Sequence, residues 1–370
     1  MRIENVQILM EDGVFRKGSV EFNHKIQSIE VNETRSTKAD YYLIPGLVDL
    51  HTHGALGGDH INLSSQQMKQ ISSFYAKSGT TSFLATTLTA TEETIAKAVG
   101  KMKEYKGFTD GARYLGINLE GPFFSHAKRG AQPGELLQPP SISMFERLYR
   151  QSGEQIKIAC VAPELDGGMK FIKEISQICT VSLAHSTANY RIAMEAFECG
   201  ATHVTHLFNG MNSFLHREPG IIGAAMDAGA FVEVISDGYH LHPAVIRAIF
   251  KMFPDKACLI SDSIEYTGLP DGEGEFAGYP ITITEGKVVL KGTGSLAGSS
   301  ITLLKGVRVA VSLGIPLAQA VMAASMIPAL SIGMEDDVGS IKPGAYADMI
   351  LLNHDLEIVK VMVNGRKIYP

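Results

Sequence analysis

The segment PGLVDLHTHG, Pro45 to Gly54, runs from a Pro-Gly turn through an apolar stretch into two histidines one residue apart. Alternate side chains of an extended strand point to the same face, so a strand over 47–53 turns His51 and His53 into one pocket and Thr52 away from it. A lone His-x-His pair is as readily a strand cap with a local hydrogen bond. The rest of the chain has to decide.

Beyond this segment, apolar strand-like runs alternate with amphipathic helical ones. The strand-like runs are LVDLHTH, TSFLATT, YLGINLE, IKIACVA, VSLAHS, THVTHLF, FVEVISDG and ACLISDS, eight in all. Segments such as SQQMKQISSFYAKSG, TEETIAKAVGKMKEYK, NYRIAMEAFECG and PAVIRAIFKMF lie between them. Eight strand–helix units over this length predict an α/β fold with a closed (β/α)8, TIM-like barrel rather than an open doubly wound sheet. No G-x-G-x-x-G follows an early strand, which weakens a dinucleotide-binding alternative. The two ends have another texture: MRIENVQILM, GVFRKGSVEFN, KIQSIEVN and YYLIPG at the start, and ADMILLN, EIVKVMVNG and RKIY after Lys342-Pro-Gly. They predict a small β-sandwich domain from residues 1–46 and 343–370, flanking a barrel of residues 47–342.

Composition narrows the function. The chain has 370 residues, 45% hydrophobic and 19% charged, enough apolar material for one large domain and a smaller one. A net charge of −6 without any Lys/Arg-rich run argues against a nucleic-acid or anionic-membrane partner and for a small molecule. Neither a signal-peptide h-region nor an apolar run of bilayer length is present, which leads to the expectation of a cytoplasmic protein. Cys160, Cys179, Cys199 and Cys258 are widely spaced with no C-x-x-C pair, so free thiols are expected.

A barrel places its functional residues at the C-terminal ends of the strands. His51 and His53 end the first strand, Glu120 the third, His185 the fifth, His206 the sixth, Asp237 with nearby His240 the seventh, and Asp262 the eighth. Any one of them alone reads as a cap or a loop hydrogen bond. Together at one barrel end they read as a mixed imidazole–carboxylate set suited to Zn²⁺, Fe²⁺ or another divalent first-row ion.

The stretches PGLVDLHTHG, NLEGPFF, LAHS, THLFNGM, HREPG, SDGYHLHP, SDS followed by TGLPDGE, GSLAGSS and GSIKPGAYADMILL carry a family likeness over residues 45 to about 350. The chain resembles the N-acetylglucosamine-6-phosphate deacetylase family of the amidohydrolase superfamily. The His-x-His alone points to the superfamily; LEGPF, THLFN, HREPG and TGLPDG in that order point to the deacetylases. The resemblance implies a homodimeric metal hydrolase that removes acetate from an N-acetylated amino-sugar 6-phosphate. It implies Glu120, His185 and His206 as ligands of the catalytic ion, and His51 and His53 as ligands of a second one with Glu120 able to bridge. Asp262 matches the base that takes a proton from water and delivers it to the departing amine. For the sugar phosphate it implies Ala131, Gln132, Asn209, Gly210, Arg217, His240, Leu296, Ala297 and Gly298, with Arg217 reaching the neighbouring subunit's site.

Two features separate this chain from its kin. Other amidohydrolases bridge two ions with a carbamylated lysine of the fourth strand, whereas the lysine in IKIACVA, Lys157, stands near the strand's start. After LEGPF comes KRGAQPG, so Gln132 occupies the place of an expected histidine and is expected to donate a neutral hydrogen bond to the scissile amide. That exchange leaves open a deacetylase for another hexosamine phosphate, such as the galacto epimer, or a weakly active sugar-phosphate-binding paralogue.

Overall fold

A computed structural model describes residues 1–31 and 40–369; Asn32 at the end of KIQSIEVN and the terminal Pro370 lie outside the described residues. Eight parallel strands form one sheet in simple chain order: β1 (Leu47–Thr52), β2 (Thr80–Thr86), β3 (Arg113–Leu119), β4 (Ile156–Val161), β5 (Thr180–Leu183), β6 (His203–Val204), β7 (Phe231–Ile235) and β8 (Ala257–Ile260). Helices cover the sheet from outside: α1 (Ser65–Lys77), α2 (Glu92–Met102), α3 (Ile142–Gln151), α4 (Gly168–Ile175), α5 (Tyr190–Glu198), α6 (Gly220–Ala228), α7 (Pro243–Met252) and α8 (Leu303–Ser312). Strands buried on both faces need apolar residues at successive positions, which is why β1 and β2 are buried at every residue. Side-chain oxygens of Ser64, Thr91, Ser141, Asn189 and Thr302 accept backbone N–H groups at the starts of α1, α2, α3, α5 and α8.

The barrel closes between β1 and β8. The Asp262 amide donates to the His51 carbonyl at 3.0 Å and the His53 amide to the Ser263 carbonyl at 2.7 Å. Behind them, Asp49 Oδ1 accepts the amides of Ser261 at 3.2 Å and His51 at 3.4 Å. Burial pushes the Asp49 carboxyl up to about 7 despite those bonds. The seam therefore runs through the residues on either side of the predicted site.

Several of the predicted runs extend past their strands, and three do so into the site. VSLAHS leaves β5 after Leu183, THVTHLF leaves β6 after Val204, and ACLISDS leaves β8 after Ile260. The cause is backbone: His185, His206 and Asp262 take left-handed φ values of 46°, 28° and 49°, which ends a ladder. Residues 272–299, given no separate element by the sequence reading, form a four-stranded antiparallel meander of Gly272–Phe276, Tyr279–Thr284, Lys287–Leu290 and Leu296–Ser299. Its first two turns are the two-residue loops Ala277-Gly278 and Glu285-Gly286, all at positive φ as such hairpins require. Phe276, Ile281, Ile283, Val288 and Ala297 of this meander pack on Leu88 and Ile264 beside the barrel mouth.

The chain ends meet in a separate seven-stranded sheet, in the order Arg366–Tyr369, Ile358–Val363, Met349–Leu352, Tyr42–Pro45, Arg2–Leu9, Phe15–Phe22 and Ile26–Val31. The sheet curls until the Ile26 amide donates to the Ala345 carbonyl, and Val6, Ile8, Val20, Phe22, Leu43, Met349 and Met362 fill the space between its halves. The four cysteines are unpaired. Among the described residues no helix is long and apolar enough to cross a membrane.

Asp348 ties this sheet to the barrel floor. Its carboxylate accepts the Asn364 amide at 2.6 Å and Arg113 Nε of β3 at 3.3 Å, while the Arg113 guanidinium lies 3.6 Å over the Tyr346 ring. Removing one partner of a buried pair leaves the other charge without compensation. Asp348→Ala should cost about 3 kcal/mol in urea unfolding. A loss below about 1 kcal/mol, the range of exposed pairs, would show that the link carries no load.

Candidate metal centre and active site

Six side chains from five strands converge at the C-terminal end of the barrel. Glu120, directly after β3, stands between two pairs of imidazoles. Its Oε1 lies 3.1 Å from His185 Nε2 and 3.2 Å from His206 Nε2, and those two nitrogens are 3.2 Å apart. Its Oε2 lies 3.3 Å from His53 Nε2 and 3.7 Å from His51 Nε2, again with the nitrogens 3.2 Å apart. Asp262 Oδ1 completes the second group at 3.5 Å from His51 and 3.4 Å from His53. All six residues are buried.

Proton positions show what belongs between these atoms. His185 Nδ1 is 2.9 Å from the Lys128 carbonyl oxygen and His206 Nδ1 is 3.2 Å from that of Asn209. A carbonyl oxygen only accepts, so both Nδ1 atoms carry the proton and a neutral ring presents a bare lone pair at Nε2. Two lone pairs and a carboxylate oxygen then face one point with no proton among them. A cation resolves that repulsion. Four ligands at the usual zinc distance of about 2.1 Å stand about 3.4 Å from one another, close to the spacing found here. In the second group His51 Nδ1 donates to the buried carboxylate of Glu233 at 2.9 Å, which again leaves Nε2 free for an ion. His53 Nδ1 has no hydrogen-bond partner among the described residues. The residues fit a divalent ion on each side of Glu120.

The electrostatics agree with charged carboxylates. Burial works to raise the Glu120 carboxyl, but when the rings carry a proton at Nε2 in place of an ion, the charge of His51 and the hydrogen bonds of His185 and His206 hold it well below the usual range. Asp262 behaves alike: burial pushes up, while His51 and His53 pull further down. Both are ionised at neutral pH.

Above this floor opens a cavity of about 290 Å³. Of the sequence-derived candidates, His53, Glu120, Ala131, Gln132, His185, His206, Asn209, Gly210, His240, Asp262, Leu296, Ala297 and Gly298 line it, and His51 lies beneath. Asp237 accepts His240 Nδ1–H at 2.7 Å, which aims the other ring nitrogen away from it. Arg217 does not line the cavity. It sits on an exposed loop with its guanidinium 2.8 Å from His216 Nε2. Gln132 is far from a loose loop residue: it is 4% exposed and bonded to Thr89 and Glu120 rather than left to face an amide alone. Lys157 is the second residue of β4, at the end remote from the site.

The sequence reading passed over Glu233, Asp49, Leu88 and Phe276. Glu233 had a visible signal, a charge inside the apolar run FVEVI that needs a buried partner. Leu88 and Phe276 give an apolar wall beside His53, with the Phe276 ring centroid 6.2 Å from that of His53.

Comparison with known proteins follows the same lines. Residues 42–368 match the family described as the Amidohydrolase family. The chain is 36% identical over 331 residues to an N-acetylglucosamine-6-phosphate deacetylase of Vibrio furnissii, covering 88% of this chain and 83% of the relative. It is 34% identical over 379 residues to that of Bacillus subtilis, covering 98% and 96%. The crystal structure of N-acetyl-D-glucosamine-6-phosphate deacetylase from Mycobacterium smegmatis, 28% identical, matches with a TM-score of 0.92 over 100% of both chains. With strand order, converging ligands and near full-length identity in agreement, the chain belongs to the amidohydrolase family, among its N-acetylglucosamine-6-phosphate deacetylases.

Proposed function

We propose that this chain is a divalent-metal hydrolase that removes acetate from N-acetyl-D-glucosamine 6-phosphate and releases glucosamine 6-phosphate. The observation that carries the reading is one glutamate, Glu120, offering separate oxygens to two imidazole pairs with the Asp262 carboxylate beside them at the floor of a cavity. Its relatives' named substrate supports the choice of sugar.

Glu120, His185 and His206 would hold the catalytic ion; His51, His53 and the second oxygen of Glu120 would hold another, and this donor set suits Zn²⁺ or Fe²⁺. Such an ion supplies a Lewis acid for the acetyl carbonyl and lowers the pKa of water to about 7. Asp262, kept ionised, accepts one proton of the attacking water and returns it to the amine nitrogen as the C–N bond breaks, giving sugar amine and acetic acid, which at neutral pH part as ammonium and acetate. No serine or cysteine nucleophile is needed. His240, held by Asp237, and Asn209 with Gly210 present polar groups to the sugar, while Leu296, Ala297 and Gly298 supply the wall. The position of Arg217 outside its own chain's cavity supports a homodimer in which it reaches the phosphate across the interface, where a guanidinium suits bidentate contact.

Acetate release from N-acetylhexosamines with and without the 6-phosphate, before and after chelation, tests the assignment. N-acetylglucosamine 6-phosphate should have the highest kcat/KM, chelation should abolish turnover, and Zn²⁺ or Fe²⁺ should restore it. Full activity in verified metal-free protein would sink the metal role, and preference for the galacto epimer would move the substrate. Asp262→Asn should lower kcat by roughly 10²–10⁴-fold with little change in KM; a near wild-type kcat would place the base elsewhere. Arg217→Ala should raise KM for the phosphorylated sugar by about tenfold or more and spare the unphosphorylated one. Equal losses on both sugars would take Arg217 off the phosphate.

A further inference from the structure

Gln132 is bonded at both ends of its amide. Oε1 accepts the Thr89 backbone N–H at 2.8 Å, and Nε2 donates to Glu120 Oε2 at 2.9 Å. The first bond fixes the second. A flipped amide would set donor against donor at Thr89 and acceptor against acceptor at Glu120.

The second bond also chooses between the oxygens of Glu120. Oε1 belongs to His185 and His206, and Oε2 is the oxygen facing His53 and His51. The terminal torsion of a glutamate is soft, so an untethered carboxylate can rotate and give both oxygens to one side. Gln132 opposes that rotation by gripping the oxygen on the His51/His53 side. A carboxylate oxygen has two lone-pair sites, so Oε2 can accept from Gln132 and still ligate an ion.

We infer that Gln132 is a positioning residue for the bridging carboxylate, and that it sets the loading of the His51/His53 position rather than acting chiefly as a donor to the scissile amide. The inference rests on the two-ion reading proposed above. Its consequence is asymmetric: without the Gln132 bond the ion at His185/His206 keeps its affinity, and the ion at His51/His53 loses it.

The test is a titration of the stripped full-length protein with Zn²⁺ by calorimetry, with bound metal counted by elemental analysis, for wild type, Gln132→Leu and Gln132→Asn. Leucine removes the amide; asparagine keeps it but is a methylene too short to span Thr89 and Glu120, which guards against misfolding of the first variant. Wild type should bind two ions. Both variants should keep the tighter one unchanged and bind the second about 10–100-fold more weakly, the usual cost of losing an outer hydrogen-bond partner of a ligand. Unchanged affinity for both ions with only KM raised would return Gln132 to the substrate and overturn the inference. So would equal weakening of both ions, or a wild type that binds only one. A wild type that binds two ions with this asymmetry in its variants, yet releases no acetate from N-acetylglucosamine 6-phosphate, would remove the substrate assignment alone.

Discussion

A carboxylate buried among four imidazoles is the constraint around which the barrel mouth is arranged. Taking a charge out of water is costly unless it is paired and hydrogen-bonded. Glu120 meets that demand with ring nitrogens on both sides and the Gln132 amide at one oxygen. Each partner is fixed in turn: His51 by Glu233, His185 by the Lys128 carbonyl, His206 by the Asn209 carbonyl, Gln132 by the Thr89 amide. The centre is thus held by groups from loops and strands around the whole barrel, so its geometry is set before any substrate arrives.

Backbone conformation supplies the aim. His185, His206 and Asp262 all leave their strands through left-handed residues, a conformation uncommon outside glycine but one in which histidine and aspartate are enriched. Such conformations cost of order 1–3 kcal/mol each and persist where the surroundings over-determine them. Here the compensation is visible in the seam: Asp262 is pinned by its amide to the His51 carbonyl and by its own carbonyl to the Ser299 amide. The hydrogen bonds that close the barrel and those that point the proposed base into the cavity are the same bonds.

Much of this was legible in the chain. Parallel strands buried on both faces read as unbroken apolar runs, so LVDL, TSFLAT and IACV announced themselves, and polar residues at the ends of such runs pointed to one mouth. Strand ends were less readable, because the left-handed turns at His185, His206 and Asp262 carry no glycine to mark them. The meander at 272–299 escaped because its strands are short and partly exposed, with apolar positions spread thinly among glycines and charges. The contacts of Gln132 were hidden for another reason: the groups that fix it, the Thr89 amide and one particular oxygen of Glu120, are brought to it only by the folded loops after β2 and β3. Glu233 shows the reverse case, a signal present in the sequence whose partner only the fold could name.

The terminal sheet imposes an order of events on synthesis. Tyr42–Pro45 pairs with Met349–Leu352, so its neighbour leaves the ribosome about 300 residues later. At the ordinary pace of about 5–20 residues per second that is a wait of roughly 15–60 s, during which the entire barrel emerges. Through that interval one edge of the early strands presents unpaired amides and carbonyls, the feature that invites pairing between chains. The edge left open on the ribosome is that of Tyr42–Pro45, and crowding on polysomes is the condition under which such an edge matters most.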